Sequence, residues 1–317
     1  MIGRFERRAF RAMGTSCMVG VTVRPGQRLV ARKALTAGEV EVAACESVLS
    51  RFDPRSDLSR VNAASGEWVA VDERLVTAVR AAVLAREDTD GRFDPTILPA
   101  LVAAGYDRTF DELAVRPGRR AAGWRAGAQL EADLERSSVR VERGAALDLG
   151  GIGKGFSAAR ALDAMTRAAP ELDGGLVDLG GDIAVQGSPP DGTLWRVAVA
   201  DPRRPGETLG TLGLLDGGVA TSGRDRRRFG PGRSLHHLID PATGSPAEEG
   251  PLAVTLVGPD PTRVEAHATA LAISSLEDAR EHLTSFPELA ALYVPTTGEP
   301  VPFGRLAFAP LVDSVHL

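Results

Sequence analysis

Residues 148–155, Asp-Leu-Gly-Gly-Ile-Gly-Lys-Gly, set four glycines around a lysine, and those residue types together can hold an anion. Lysine is scarce in this chain: Lys33 and Lys154 are the only two, and the other 35 of the 37 basic side chains are arginine. An ammonium is a compact point charge on a flexible stem, whereas a guanidinium is a planar fork, so the two do not exchange at a tight site. Glycines admit unusual dihedrals and let a ligand come close to the main chain. A strand–glycine–helix passage also turns backbone amides and a helix N-terminus toward the same point. Phosphate is the expected anion. The run is not a Walker A loop, because Gly155 stands where that motif needs Ser or Thr. Nor is it a dinucleotide fingerprint, because Phe156 occupies the place of the third glycine. On the loop alone, an anion cradle and a tight turn with a solvated lysine are both open.

Other segments carry groups of the same kind. Ser234-Leu-His-His237-Leu-Ile-Asp240-Pro-Ala-Thr243-Gly244 joins a histidine to an Asp-Pro-x-Thr-Gly turn whose dihedral preferences are strong. His237 is either a proton acceptor or a packing histidine. Glu265 and Thr269 lie four residues apart, so on a helix they share a face, and Ala266, Ala268 and Ala270 leave room beside it. A carboxylate with a hydroxyl suits a hard cation, and magnesium commonly takes one carboxylate, waters and substrate phosphates. The alternative is an exposed helical pair. Gly91-Arg92-Phe93-Asp94-Pro95-Thr96 is a turn with an acid and an aromatic, and Asn62 is the only asparagine. Met13-Gly14-Thr15 precedes the first strand, and Gly180-Gly181-Asp182 closes another. Each of these also reads as a plain turn.

The elements that must position these groups follow from periodicity. Cys17, Val19, Val21 and Val23 alternate as an opening strand that stops at Pro25-Gly26. Ala31, Leu35, Gly38, Val42, Cys45 and Leu49 draw one helical face, weakened at Gly38. A second helix is expected over Glu73–Arg86, closed by the turn at 88–91. Val139–Val141 and Ala146–Leu149 suggest a hairpin feeding the glycine run, followed by a helix over Gly155–Ala169. Strands are expected near Gly175–Leu179, Ile183–Gln186, Trp195–Ala200, Val219–Thr221 and Ala253–Val257, with helices at Thr262–Ile273 and Leu276–Leu283. Strands and helices mix without regular βαβ alternation, which predicts an α+β fold with mixed sheets and packed helices.

Composition narrows the function classes. A net charge of −5 gives no electrostatic case for a nucleic-acid partner. The one dense basic patch, Arg224 with Arg226–Arg228, reads as a solvated loop or as a phosphate or partner contact. Cys17 and Cys45 form neither a disulfide framework nor a zinc spacing, and are expected as small buried hydrophobes. No apolar stretch reaches the roughly 20 residues that span a bilayer. The first 20 residues lack a signal-peptide core and a lipid-anchor cysteine, so a cytoplasmic protein is expected. Loops near Pro117–Arg125 and Pro231–Arg233 are the expected variable points.

Taken in order, these segments resemble the ApbE-type FAD:protein FMN transferases. The matching pieces are Met-Gly-Thr at Met13, Phe52-Asp-Pro…Ser56…Ser59…Asn62, Gly-x-Phe-Asp-Pro-Thr at Gly91 and Asp-Leu-Gly-Gly-Ile-x-Lys-Gly at Asp148. They continue with Leu-Gly-Gly-Asp at Leu179, Thr-Ser-Gly at Thr221, His-x-Ile-Asp-Pro-x-Thr-Gly at His237 and the Glu265…Thr269 helix. The resemblance implies one compact, T-fold-like catalytic unit over residues 13–317, with 1–12 as an N-terminal extension. It implies a magnesium-dependent enzyme that cleaves FAD, attaches FMN through a phosphoester to a Thr or Ser hydroxyl of a target flavoprotein, and releases AMP. Carried over by position, Met13, Phe52, Asn62, Arg92, Phe93, Asp94, Asp148, Lys154 and Leu238 contact FAD. The Gly151 carbonyl, Glu265 and Thr269 hold the magnesium, and His237 is the base. Lys154 and the metal would neutralise charge on the transferred phosphoryl group.

Three departures stand out: Glu265 where the family usually has aspartate, Ala159 where it often has aspartate, and no exported-lipoprotein leader. Glu265 is expected to retain magnesium with some loss of affinity, because magnesium holds strictly to octahedral geometry. Hydrolysis of FAD to FMN and AMP, and flavin binding with weakened catalysis, are the competing readings.

Overall fold

The computed structural model describes residues 3–64, 66–109, 113, 118–224, 228–230, 232 and 235–310. Its frame is an eight-stranded sheet whose spatial order repeats the chain order. The strands are Arg4–Ala12, Thr15–Val23, Gly174–Leu179, Ile183–Gly187, Gly217–Gly223, Ala253–Gly258, Ala290–Val294 and Val301–Phe303. Every neighbouring pair runs antiparallel. Residues 4–12, set apart in the sequence as an extension, form the edge strand and pair along their whole length with Thr15–Val23.

Among the described residues seven helices join these strands: α1 Arg28–Leu49, α2 Asp57–Ala63, α3 Glu73–Asp88, α4 Leu98–Ala104, α5 Gly153–Ala168, α6 Pro261–Leu271 and α7 Leu276–Ser285. The first five lie between the second and third strands. Side chains alternate across a strand, so one strand can feed two cores. Val177 joins Val19, Val21 and Leu179 against Ala34, Val42, Ala161 and Met165 of α1 and α5. Its neighbour Leu176 joins Trp195, Val199, Leu212 and Leu214 of a three-stranded sheet on the other face. The expected α+β class holds, with all ladders among the described residues antiparallel.

Two glycines explain how the helices close. Helix α1 runs unbroken through Gly38, and the glycine makes room for α5, since a Cβ there would stand 2.7 Å from Met165 Sδ. At Gly155 a Cβ would stand 2.3 Å from the Pro261 carbonyl oxygen, so α5 and α6 touch backbone to backbone. Met165 can swing aside and a backbone carbonyl cannot. Gly155→Ala is therefore expected to lose more stability than Gly38→Ala, beyond the roughly 1–3 kcal/mol of ordinary overpacking. Urea midpoints of the two variants check the order.

The expected hairpin before the glycine run does not form. Ser138–Val141 pairs instead with Leu130–Asp133 and Val69–Ala70. Ala146–Leu149 is extended without a ladder, meeting the 95–97 segment through an isolated bridge from Ala146 to Ile97 and a bond from the Asp148 N–H to the Pro95 carbonyl at 2.9 Å. Its backbone is taken by Asn62, whose side-chain amide donates to the Leu147 carbonyl at 3.0 Å while its oxygen accepts the Leu147 N–H at 2.7 Å. A side chain has replaced a strand partner, which alternation of apolar residues cannot reveal.

Both cysteines are free and buried, and burial pushes the Cys45 thiol up to about 11. Within the basic patch, Arg224 is committed to the Glu248 carbonyl at 2.8 Å and to the Gly250 carbonyl, so it is a structural clamp. Arg226 and Arg227 lie outside the described residues, as do Pro117, Pro231 and Arg233 of the two expected variable loops and Ser234 of the histidine segment. No helix among the described residues is long and apolar enough to cross a membrane.

Candidate active site

Helix α5 starts inside the glycine run, and its N-cap Ile152 offers no side-chain cap. The missing acceptor comes from α6. Glu265 Oε2 accepts the Gly155 N–H at 2.7 Å, and Glu265 Oε1 meets Lys154 Nζ at 2.8 Å. One buried carboxylate thus satisfies an otherwise orphaned helix amide and pairs the lysine beside it. A second carboxylate, Asp182, contacts the same ammonium from the turn after the Gly174–Leu179 strand. The two acids are 2% and 6% exposed at the side chain and the lysine 19%. The readings of Lys154 as solvated and of Glu265 as an exposed helical residue are thereby excluded.

Thr269, one turn beyond Glu265, donates from Oγ1 to the Gly151 carbonyl at 3.3 Å. Gly151 is held between Thr269 and Phe93: a Cβ there would lie 2.9 Å from Thr269 Oγ1 and 3.2 Å from the Phe93 ring. Three separate stretches of the chain, carrying Phe93, Gly151 with Lys154, and Glu265 with Thr269, therefore form one cluster. Its donors are a carboxylate, a hydroxyl and a carbonyl, an all-oxygen set of the kind that suits a hard cation. An ammonium already stands against the carboxylate, so the position favours positive charge. The residues present fit magnesium in donor chemistry. Among the described residues no group of three or more His, Cys, Asp or Glu side chains could hold a metal ion, so the carbonyl and hydroxyl would have to complete any such site.

Around this cluster the other candidates are fixed by their own contacts. Asp148 accepts the Gly150 N–H at 2.8 Å and pairs with Arg51 at 2.6 Å, with side chains only 11% and 7% exposed. Arg51 also donates to the Tyr106 carbonyl at 3.0 Å and lies under the Phe52 ring, whose centroid is 4.2 Å away. That stacking brings the exposed Phe52 to the glycine run. Asn62 holds Leu147, as described above. Asp94 is buried and fully engaged, accepting from the Thr96 N–H and hydroxyl and from the Gly127 N–H at 2.7–2.8 Å. It shapes the loop that presents Phe93. Met13, at φ 51°, donates its N–H to Glu46 Oε1 at 2.6 Å and packs against both cores that α1 joins.

Arg92 turns to α7 and pairs with Asp278 at 3.2 Å, lining an acidic cleft of about 500 Å³ with Glu87, Asp88, Asp90 and Glu281. The Ser275 hydroxyl, with help from Arg92, holds the Asp278 carboxyl below its ordinary range. Leu238 is buried against Ala268, Leu271 and Ala272, which ties the histidine segment to the C-terminal half of α6. The expected turn after it forms: the Ala242 N–H bonds Asp240 Oδ1 at 2.9 Å, and Trp124 donates to the Pro241 carbonyl at 2.9 Å. Of the two adjacent histidines, His236 is buried and bonded to the Ala247 carbonyl at 3.0 Å, and His237 is half-buried.

His267, between Glu265 and Thr269, faces away from the cluster toward His282 at 2.7 Å. Burial, then His282 and Arg263, push its pKa from 6.5 down to about 4, against the opposing pull of Asp88. A group depressed in the folded state binds its proton more readily unfolded, so stability is full above pH 6.5 and declines as pH falls toward 4. Urea midpoints across that window, compared with a His267→Gln variant, should show a shallower decline in the variant.

Two residues of this site were missed in the sequence. Arg51 stood beside the Phe-Asp-Pro turn, but nothing in spacing marks which arginine among 35 meets Asp148. Asp182 was visible as a turn acid with no sign that it faces Lys154.

Known proteins resemble this chain in sequence and in fold. The profile of the ApbE family matches residues 13–293. A FAD:protein FMN transferase from Treponema pallidum is 32% identical over 308 residues, covering 90% of this chain and 83% of its own. One from Salmonella typhimurium is 26% identical, covering 86% and 79%. The ApbE protein of Thermotoga maritima superimposes with a TM-score of 0.84 at 30% identity, covering 95% of this chain and 97% of its own. With the ordered motifs, the shared fold and a match over most of its length, the chain belongs to the ApbE family.

Proposed function

We propose that the protein transfers FMN from FAD to a Thr or Ser hydroxyl of a partner flavoprotein, forming a phosphoester and releasing AMP, with magnesium as cofactor. The observation that carries this reading is the convergence of Lys154, Glu265, Thr269 and the Gly151 carbonyl at the start of α5. The relatives are named FAD:protein FMN transferases, which supports the flavin-transfer part of this reading.

In this reading Glu265, Thr269 and the Gly151 carbonyl hold the metal, which supplies charge neutralisation to the diphosphate when bound. Lys154 adds a positive charge beside the same oxygens, and the α5 N-terminus favours the anion further. Phe52 offers an exposed apolar face to the flavin, Phe93 is buried and backs Gly151 from the core, and Asp148, clamped by Arg51, holds the glycine run in place. His237 accepts the proton of the acceptor hydroxyl as its oxygen bonds to the FMN phosphorus and the bond to the AMP oxygen breaks. Most of the rate in such a transfer comes from positioning and electrostatics, which a prearranged cluster provides.

The test is incubation with FAD and magnesium, with and without a candidate acceptor flavoprotein, followed by intact-mass analysis. An acceptor mass increase equal to FMN, with AMP released, is expected. AMP with an unmodified acceptor would replace transfer by hydrolysis, and retained FAD without AMP would leave only binding. His237→Ala is expected to slow transfer by about 10²–10⁴-fold with FAD affinity held within a few-fold, since general-base catalysis contributes on that scale. Transfer at the wild-type rate in that variant would remove His237 from the mechanism.

A further inference from the structure

Asp182 has no part in the reaction as set out above, yet it is one of two buried acids on the same lysine. It ends a turn in which Gly180 and Gly181 adopt φ +75° and +100°, conformations that L side chains rarely take. The Leu179 N–H bonds the Asp182 carbonyl at 2.9 Å, and the Gly181 N–H bonds Asp178 Oδ1 at 2.8 Å. The turn backbone is therefore pinned, and it delivers the Asp182 carboxylate inward onto Lys154. Glu265 reaches the same ammonium from α6. One positive charge is shared by two buried negative charges, and the group as a whole carries −1.

Such a group attracts a further cation, but the ammonium stands in its way at Glu265 Oε1. A cation arriving at Glu265 gains the carboxylate only if the ammonium withdraws, and a lysine withdrawing into a buried site needs another partner. We propose that Asp182 is the positioning residue that takes over the Lys154 ammonium when a divalent cation occupies Glu265, so that lysine and cation stand side by side. The proposal rests on the reading of Glu265 as a cation ligand given above. It accounts for the second acid, which neither helix capping nor a single ion pair requires.

The test is calorimetric titration with magnesium alone on the wild type, Asp182→Asn, Lys154→Met and the double variant, each verified as folded by circular dichroism. Asp182→Asn leaves the ammonium with Glu265 as its only carboxylate, so magnesium affinity is expected to fall about tenfold, a difference of about 1.4 kcal/mol. In the Lys154→Met background the same substitution is expected to change affinity by less than about threefold, because no ammonium remains to compete. Equal weakening in both backgrounds would mean that Asp182 acts on the cation directly, and unchanged affinity in the first would mean that it does not act at all; either overturns the proposal alone. A wild type that binds no magnesium overturns it together with the reading beneath it. Should Asp182→Asn not fold, Asp182→Glu restores the carboxylate and is expected within about threefold of wild-type affinity, with a tenfold loss counting against the proposal.

Discussion

Glu265→Ala is expected to lose both stability and the response to magnesium. The carboxylate is 2% exposed and holds two donors, the Gly155 amide at 2.7 Å and the Lys154 ammonium at 2.8 Å. Removing it strands a helix N–H in the interior and halves the compensation of a buried ammonium. Breaking a buried ion pair by deleting one partner costs about 3–5 kcal/mol. Lys154 keeps Asp182, so the loss should fall near about 3 kcal/mol, at the lower end of that range. Glu265→Asp should be intermediate, because one methylene fewer cannot span from α6 to both donors without movement. Magnesium at 100 times its dissociation constant would stabilise the wild type by about 2.7 kcal/mol. That increment should vanish in Glu265→Ala. Urea unfolding with and without magnesium reads both effects, and an alanine variant that keeps its midpoint and its magnesium increment would end the assignment.

Arg51→Met should be the most damaging change outside the cation cluster. Its guanidinium is 7% exposed, meets an Asp148 carboxylate that is 11% exposed, and bonds the Tyr106 carbonyl as well. Methionine preserves much of the packing with Phe52 and Tyr106 but leaves Asp148 as an uncompensated buried charge. A loss of about 3–5 kcal/mol is expected. The double variant Arg51→Met/Asp148→Asn removes both charges and should recover part of that loss, the signature of direct coupling between the two. Because Asp148 also fixes the Gly150 amide, FAD affinity should weaken in Arg51→Met and return in part in the double variant. Additive losses would show that the pair is not coupled.

Most of the secondary structure was legible from periodicity. The Thr15–Val23 strand, the helices α1, α3, α5, α6 and α7, and the strands Gly174–Leu179, Ile183–Gly187, Trp195–Ala200 and Ala253–Gly258 follow from alternation or helical spacing. The Thr208–Leu214 and Ala290–Val294 strands and the short helices α2 and α4 did not stand out. The hairpin expected between 139–141 and 146–149 does not form because the first segment pairs with other strands, while the second is held by the Asn62 side chain and the 95–97 backbone. The N-terminal residues were set apart because the family resemblance begins at Met13, and their role as an edge strand depends on a partner strand being present.

The family was legible in the sequence alone: a lysine among glycines, a Glu and a Thr four apart, and a histidine before an Asp-Pro turn, in an order that marks it. Those are local properties, set by residue type and spacing. Tertiary structure alone decided who meets whom. It placed Glu265 on the amide of Gly155 from 110 residues away, gave Lys154 a second acid in Asp182, and set Arg51 beneath Asp148. Such pairings are fixed by how helices close over a sheet, and a glycine at 155 that lets α5 touch α6 matters to the site as much as the charges it brings together.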